Sequence, residues 1–213
     1  MDRLSRRRFR LERLGLGVLW VLAAVVAVAC PAAEPDDEDV ATRALLRAAE
    51  RGRPNQVRAA IEQGARIDEN RVDFAGEDRQ PALVAAALRG HAGVVRILLE
   101  AGADPTVPEK DGFTVWHAAA FQGRAKVLAV LDELSVPGFG ISEIDGFTPL
   151  HRAAWGRRPG HLAAVRFLIG PGGRDCQLRA ENGARPVDRA PNPRIRALLE
   201  GCEAEQAAEA EAP

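Results

Sequence analysis

The chain has no tyrosine, one methionine, three tryptophans and seven phenylalanines in 213 residues. With so few aromatics any core must be aliphatic and rich in alanine, which suits closely stacked pairs of helices. Serine occurs only at Ser5, Ser135 and Ser142, none in the Gly-x-Ser-x-Gly setting of a nucleophile elbow. No Gly-x-x-x-x-Gly-Lys loop is present to cradle phosphate, and Gly170-Pro171-Gly172-Gly173 follows a helical stretch instead of preceding one. Neither His-x-x-x-His, His-Glu-x-x-His nor Cys-x-x-Cys spacing occurs among four histidines and three cysteines, so zinc is not expected. No catalytic residue, metal or cofactor is assigned, and the chain is read as a non-enzyme. The length allows one ordinary domain plus extensions.

What is present is a repeat. Asp111-Gly112-Phe113-Thr114-Val115-Trp116-His117-Ala118-Ala119-Ala120 returns 34 residues later as Asp145-Gly146-Phe147-Thr148-Pro149-Leu150-His151-Arg152-Ala153-Ala154. Asp-Gly supplies the positive φ of a tight turn. Thr148 can cap a helix with its hydroxyl, and Pro149 is preset for the first helical position, where a missing N–H costs nothing. Gly90 and Gly123 fit the left-handed residue that ends a helix. A second helix follows, carrying Val94, Val95, Ile97, Leu98 and Leu99 in one copy and Val127, Leu128, Val130 and Leu131 in the next, both at helical spacing. Gly102-Ala103-Asp104-Pro105 then turns the chain back.

A period near 33 with this opening phrase marks a stacked helical repeat, and the chain resembles the ankyrin-repeat family, most closely from Pro81 to Pro105. The resemblance implies an all-α solenoid in which each unit is a helix-turn-helix with a hairpin or loop. About five units are expected, at residues 41–73, 74–106, 107–140, 141–177 and 178–202. The first lacks the Thr-Pro start and the last is a remnant around Pro186, Pro191 and Pro193, as terminal caps should be. A longer finger is expected at 69–80. The fourth unit carries three extra residues near Arg157-Arg158-Pro159, and such insertions map to loops on one face. Residues 203–213 are Glu/Ala-rich and read as a disordered acidic tail or a frayed helix extension. By the same resemblance, His117 and His151 are structural, hydrogen-bonding between neighbouring repeats.

Residues 1–29 are a separate object. Six arginines from Arg3 to Arg13 precede an uncharged run of 16 residues, Leu14 to Ala29, shorter than the roughly 20 that a membrane span requires. This is the layout of an export signal. Ala27-Val28-Ala29-Cys30 resembles a bacterial lipobox, which implies lipidation at Cys30, although Ala27 stands where Leu is usual. An ordinary cleavage site and an uncleaved anchor are the alternatives, and all three place the repeats outside the cytoplasm, in the cell envelope facing the periplasm. Ser5-Arg6-Arg7-Arg8-Phe9 also resembles the twin-arginine export motif. Residues 30–40, with two prolines and five acids, read as a solvated tether.

Net charge is −1. Removal of residues 1–29 takes away six arginines and two acids and leaves −5, which makes nucleic acid a poor partner. The expected partner is another protein, bound by a monomer. On the first helices Leu88, Phe121 and Trp155 fall at one repeat position, with Arg51 and Arg89 beside that row and Arg152 one turn away. Phe113 and Phe147 share a place on the hairpins. An aromatic and arginine stripe is the composition of an interface hot spot; the competing reading has Phe121 and Trp155 packing beneath neighbouring hairpins. Cys176 and Cys202, each just past a second helix, are either bridged or two buried thiols. The functional expectation is an envelope-tethered interaction module; an immunity or inhibitor protein and an accessory factor for a periplasmic enzyme are the rivals. Cells fed a fatty-acid analogue should label the parent chain and not Cys30→Ala; equal labelling of both would remove the lipid tether.

Overall fold

The computed structural model describes residues 37–69, 80–137, 145–170 and 176–210. The expected signal, the lipidation at Cys30, the start of the tether and most of the long finger lie outside them. The described residues belong to one compact unit beginning at Asp37. It contains α1 (Asp37–Glu50), α2 (Pro54–Glu62), α3 (Ala82–Arg89), α4 (Ala92–Glu100), α5 (Val115–Phe121), α6 (Ala125–Glu133), α7 (Pro149–Ala154), α8 (Pro159–Leu168), a 3-10 turn (Pro186–Arg189) and α9 (Pro193–Ala210). Among the described residues there is no strand, and the chain is an all-α stack.

Two rows of helices run side by side. The first helices α1, α3, α5 and α7 and the 3-10 turn pack in succession, the second helices α2, α4, α6, α8 and α9 form a parallel row, and each first helix packs on the second helix of its own unit. Alanine makes the close approach within the first row feasible. Ala48, Ala49, Ala86, Ala87, Ala118, Ala119, Ala120, Ala153 and Ala154 are all buried. The second row supplies the larger aliphatics, Val57, Val95, Leu98, Val127, Leu128, Leu131, Val165 and Leu168, and all of these residues join one continuous core from Ala41 to Leu199. A core of this kind is a sum of neighbour contacts, so no unit is stable alone.

The local chemistry follows the sequence. Thr148 accepts from the His151 backbone N–H at 3.4 Å while Thr148 N–H donates to His151 Nδ1 at 3.2 Å, a reciprocal cap, and Pro149 opens α7. Gly90 ends α3 in the left-handed region at φ 84°. In the third unit the hairpin closes with Gly112 N–H donating to Glu109 O at 2.8 Å and Glu109 N–H to Phe113 O at 3.0 Å; in the fifth, Gly183 to Ala180 and Ala180 to Ala184 repeat the pattern.

Two segments settle more sharply than the sequence reading. Helix α1 starts at Asp37, inside the stretch read as tether, because a run of acids at a helix N-terminus is stabilised by the backbone dipole. The tail from Glu203, read as disordered or as a frayed helix extension, takes the second form and continues α9 to Ala210. Glu and Ala are strong helix formers, and this turn is held: Glu203 pairs with Arg185 at 3.0 Å, the Cys176 N–H donates to Gln206 Oε1 at 3.2 Å, and Cys202 is disulfide-bonded to Cys176 across a Cα separation of 6.3 Å. In the chain-entropy account, closing a 26-residue separation stabilises by about 3 kcal/mol.

After the second helices of the first three units the chain turns through one left-handed residue. Gly64 and Gly102 fill that place in the first two units, with φ 85° and 91°, and Ser135 fills it in the third with φ 52°. A side chain there costs energy that glycine does not, partly offset by the freedom glycine adds to the unfolded chain. Ser135→Gly should therefore raise stability by about 0.5 kcal/mol in urea melts; a neutral or destabilising result would show the turn unstrained.

Candidate protein-binding surface

The hydrogen bonds that carry a side-chain N–H of one repeat to a backbone carbonyl of an adjacent one come from two positions. At the first, His117 Nε2 donates to Phe147 O at 3.0 Å and its Nδ1 accepts from the Thr114 hydroxyl at 2.9 Å. His151 repeats the arrangement one unit on, donating from Nε2 to Ala184 O at 3.0 Å. The second position opens the second helix. His91 Nε2 donates to Glu50 O at 3.1 Å, Arg124 Nε to Leu88 O at 3.0 Å, and His161 Nε2 to Phe121 O at 3.0 Å. Each acceptor is the carbonyl of the corresponding residue on the preceding first helix. The glycines that follow give the donors room: a Cβ on Gly52 would lie 2.3 Å from the His91 ring and one on Gly90 2.8 Å from Arg124.

This register lines the side chains up. The rings of Phe121 and Phe113 stack at 6.5 Å and 17°. The Arg152 guanidinium lies 4.2 Å from the Phe113 ring centre and 5.0 Å from that of Phe147. Arg189 lies 5.0 Å from Phe147 and 5.3 Å from Trp155. The result is a ladder in the order Phe121, Phe113, Arg152, Phe147, Arg189, Trp155, with each arginine between rings of two successive units or beside them. Each such contact contributes on the order of 0.5–2 kcal/mol. Arg152 is further ion-paired to Asp145, and Asp145 also accepts from Phe147 N–H at 3.1 Å.

Of the residues read from the sequence as a binding stripe, the structure therefore gathers Phe113, Phe121, Phe147, Trp155 and Arg152. Phe147 and Arg152, read as part of the binding stripe, are buried, Phe147 against Arg152 and Arg189 and Arg152 against the Phe113 and Phe147 rings. Trp155 and Phe121 keep 52% and 39% of their surface exposed, so neither is simply covered by a hairpin. Leu88 is half-buried against the core, and Arg51 and Arg89 are exposed at the ends of α1 and α3. Arg189 was not among the expected residues. Its signal was present: Pro186-Val187-Asp188-Arg189 matches Pro149-Leu150-His151-Arg152 position for position, with Asp188 accepting from Arg185 N–H at 2.9 Å where His151 accepts from Thr148.

Beside the ladder runs a shallow groove of about 240 Å³ lined by Phe121, Gln122, Arg152, Trp155, Gly156, Arg157, Arg158 and His161. The inserted Arg157 and Arg158 are exposed there. His161 is buried, and its ring lies so close over Gly156 that a Cβ there would clash at 1.8 Å. Among the described residues, no group of three His, Cys, Asp or Glu side chains could hold a metal ion.

The family profile for three copies of the ankyrin repeat matches residues 45–137, and that for the single ankyrin repeat matches residues 145–179. Together they cover more than half of the chain, which belongs to the ankyrin-repeat family. The chain is similar to a mitochondrial disaggregase of Bos taurus, with 34% identity over 114 residues, 53% of this chain and 15% of that protein. The Homo sapiens mitochondrial disaggregase shows 34% identity over 113 residues, 53% of this chain and 14% of its own length. An inactive serine/threonine-protein kinase, TEX14, of Mus musculus is 43% identical over 60 residues, 28% of this chain and 4% of that protein. The similarity thus spans a small part of each of these relatives. Ankyrin repeats are in general non-catalytic modules that bind other proteins.

Burial is the main influence holding the His151 pKa below the usual imidazole value, with Arg152 and Arg189 adding to it against the bond to Ala184 and the charge of Asp145. The unfolded chain takes up a proton near pH 6.5 that the folded site resists, so this group's stabilisation is full above that pH and declines as pH falls below it. The slope is at most about 1.4 kcal/mol per pH unit. Urea melts of the parent between about pH 7 and 5 should show that loss, and His151→Gln should flatten it; parallel profiles would place the titration elsewhere.

Proposed function

We propose that this chain is a non-catalytic binding module held in a bacterial cell envelope, where it grips a partner protein with the aromatic and arginine ladder. The observation that carries the binding reading is the pairing of two exposed rings, Trp155 and Phe121, with a scaffold of buried Arg152 and Phe147 and half-buried Phe113 beneath them. Rigid aromatic anchors lose little conformational freedom on binding, and tryptophan and arginine are the residues most often found at interface hot spots. The envelope location rests on the basic head, the apolar run and the small residues before Cys30 in the sequence.

A second reading draws on the similarity to the mitochondrial disaggregases: the module serves an enzyme that handles other proteins, as an accessory with no turnover of its own. It uses the same surface and differs in its partner, since deletion of the gene would lower that enzyme's activity.

Cross-linking in intact cells should capture a partner with the parent chain, and Trp155→Ala with Phe121→Ala should abolish capture while leaving the helical signal intact and the melting cooperative, its midpoint lowered only by the lost ladder contacts. Capture of the same proteins by both variants would remove the ladder from the interface.

A further inference from the structure

We propose that the groove between Phe121 and Trp155 receives an acidic segment of the partner, carboxylates flanking an apolar side chain. This rests on the interaction reading above and gives that partner its chemistry. The lining holds three arginines, Arg152, Arg157 and Arg158, one histidine and two exposed rings, and it includes no aspartate or glutamate. A cationic lining is unusual on a chain whose acids outnumber its bases by 30 to 29, so the charge is local to this place. Arg152 is committed to Asp145, which leaves the exposed Arg157 and Arg158 as the charges that meet an incoming anion. Both come from the insertion in the fourth unit, at the place where the third unit passes from Phe121 to Ala125 by the turn Gln122-Gly123-Arg124.

The size and shape of the groove narrow the occupant. At about 240 Å³ and open to solvent, it falls below the roughly 300–1,000 Å³ of sites that enclose a small molecule. A peptide laid across it needs no enclosure. Its guanidinium groups offer flat pairs of N–H donors that match carboxylates two at a time. The exposed ring of Trp155, with the Arg189 guanidinium 5.3 Å from its centre, provides the apolar contact. A nucleic acid presents anions as well, but a polyanionic backbone needs a basic stripe extending well beyond one groove, and the chain as a whole carries no positive excess.

The test is to pan a displayed library of random peptides against the full chain and against the double variant Arg157→Glu with Arg158→Glu, both positions being exposed and outside the core. The parent should enrich peptides rich in aspartate and glutamate around a leucine or aromatic residue. Synthetic versions of these should lose at least about tenfold in affinity on the double variant and weaken as salt rises. Enrichment of neutral or basic peptides, equal affinity for parent and variant, or no enrichment would overturn the proposal, as would tighter binding of a single-stranded oligothymidylate than of the selected peptides. If cellular capture depends on Trp155 and Phe121 but is indifferent to the charge reversal, the interaction reading stands and the acidic partner falls.

Discussion

Every other feature of this molecule depends on a side chain reaching from one repeat to a backbone carbonyl of the adjacent one. His91, Arg124 and His161 hold the ends of three first helices, and His117 and His151 hold the hairpins that follow them. Hydrophobic contact between alanine-lined helices has no direction and would tolerate sliding. An N–H that must find one carbonyl does not, and where the bond is buried, as at His117, leaving it unpaired costs on the order of 1–3 kcal/mol. Packing supplies the free energy, and these bonds fix the register in which it is collected.

The ladder of rings and guanidinium groups follows from that register. Arg152 meets the ring of the preceding hairpin as well as its own because successive units are offset by a constant step, and Arg189 repeats the relation one unit on. The two arginines are thus both part of the scaffold and the source of its positive field. The exposed residues at the ladder's ends, Phe121 and Trp155, are rigid because what lies between them is not free to move.

The stacked fold was legible because the repeating phrase is dictated by backbone demands: a left-handed turn, a cap, a proline that suits the first helical position. Those demands act within a few residues and so leave a mark at fixed spacing. The burial of Phe147 and Arg152 was not legible, since each faces a side chain far along the chain, Arg189 for Phe147 and Phe113 for Arg152, whose position depends on how the neighbouring unit docks. The end of α9 was left open between disorder and helix for a related reason. Its Glu/Ala composition is compatible with both, and the deciding contacts come from residues distant in the chain, Arg185 to Glu203 within the unit and Cys176 to Gln206 from the fourth. Ser135 was also overlooked, because nothing in a serine announces that it stands where its equivalents are glycine.

The bond between Cys176 and Cys202 makes the stack unequal at its two ends. In an array where each unit leans only on its neighbours, loosening spreads inward from whichever terminus yields first. The terminal remnant, a single turn and one long helix, would be the weaker end by its contacts alone. Riveted to the fourth unit, it cannot peel away without its anchor, and the seam of least resistance moves to the opposite end, where α1 rests on one side of the pile with no covalent fastening. A pulling force on the chain would therefore unzip the molecule from its amino-terminal side, leaving the ringed groove among the last parts to come apart.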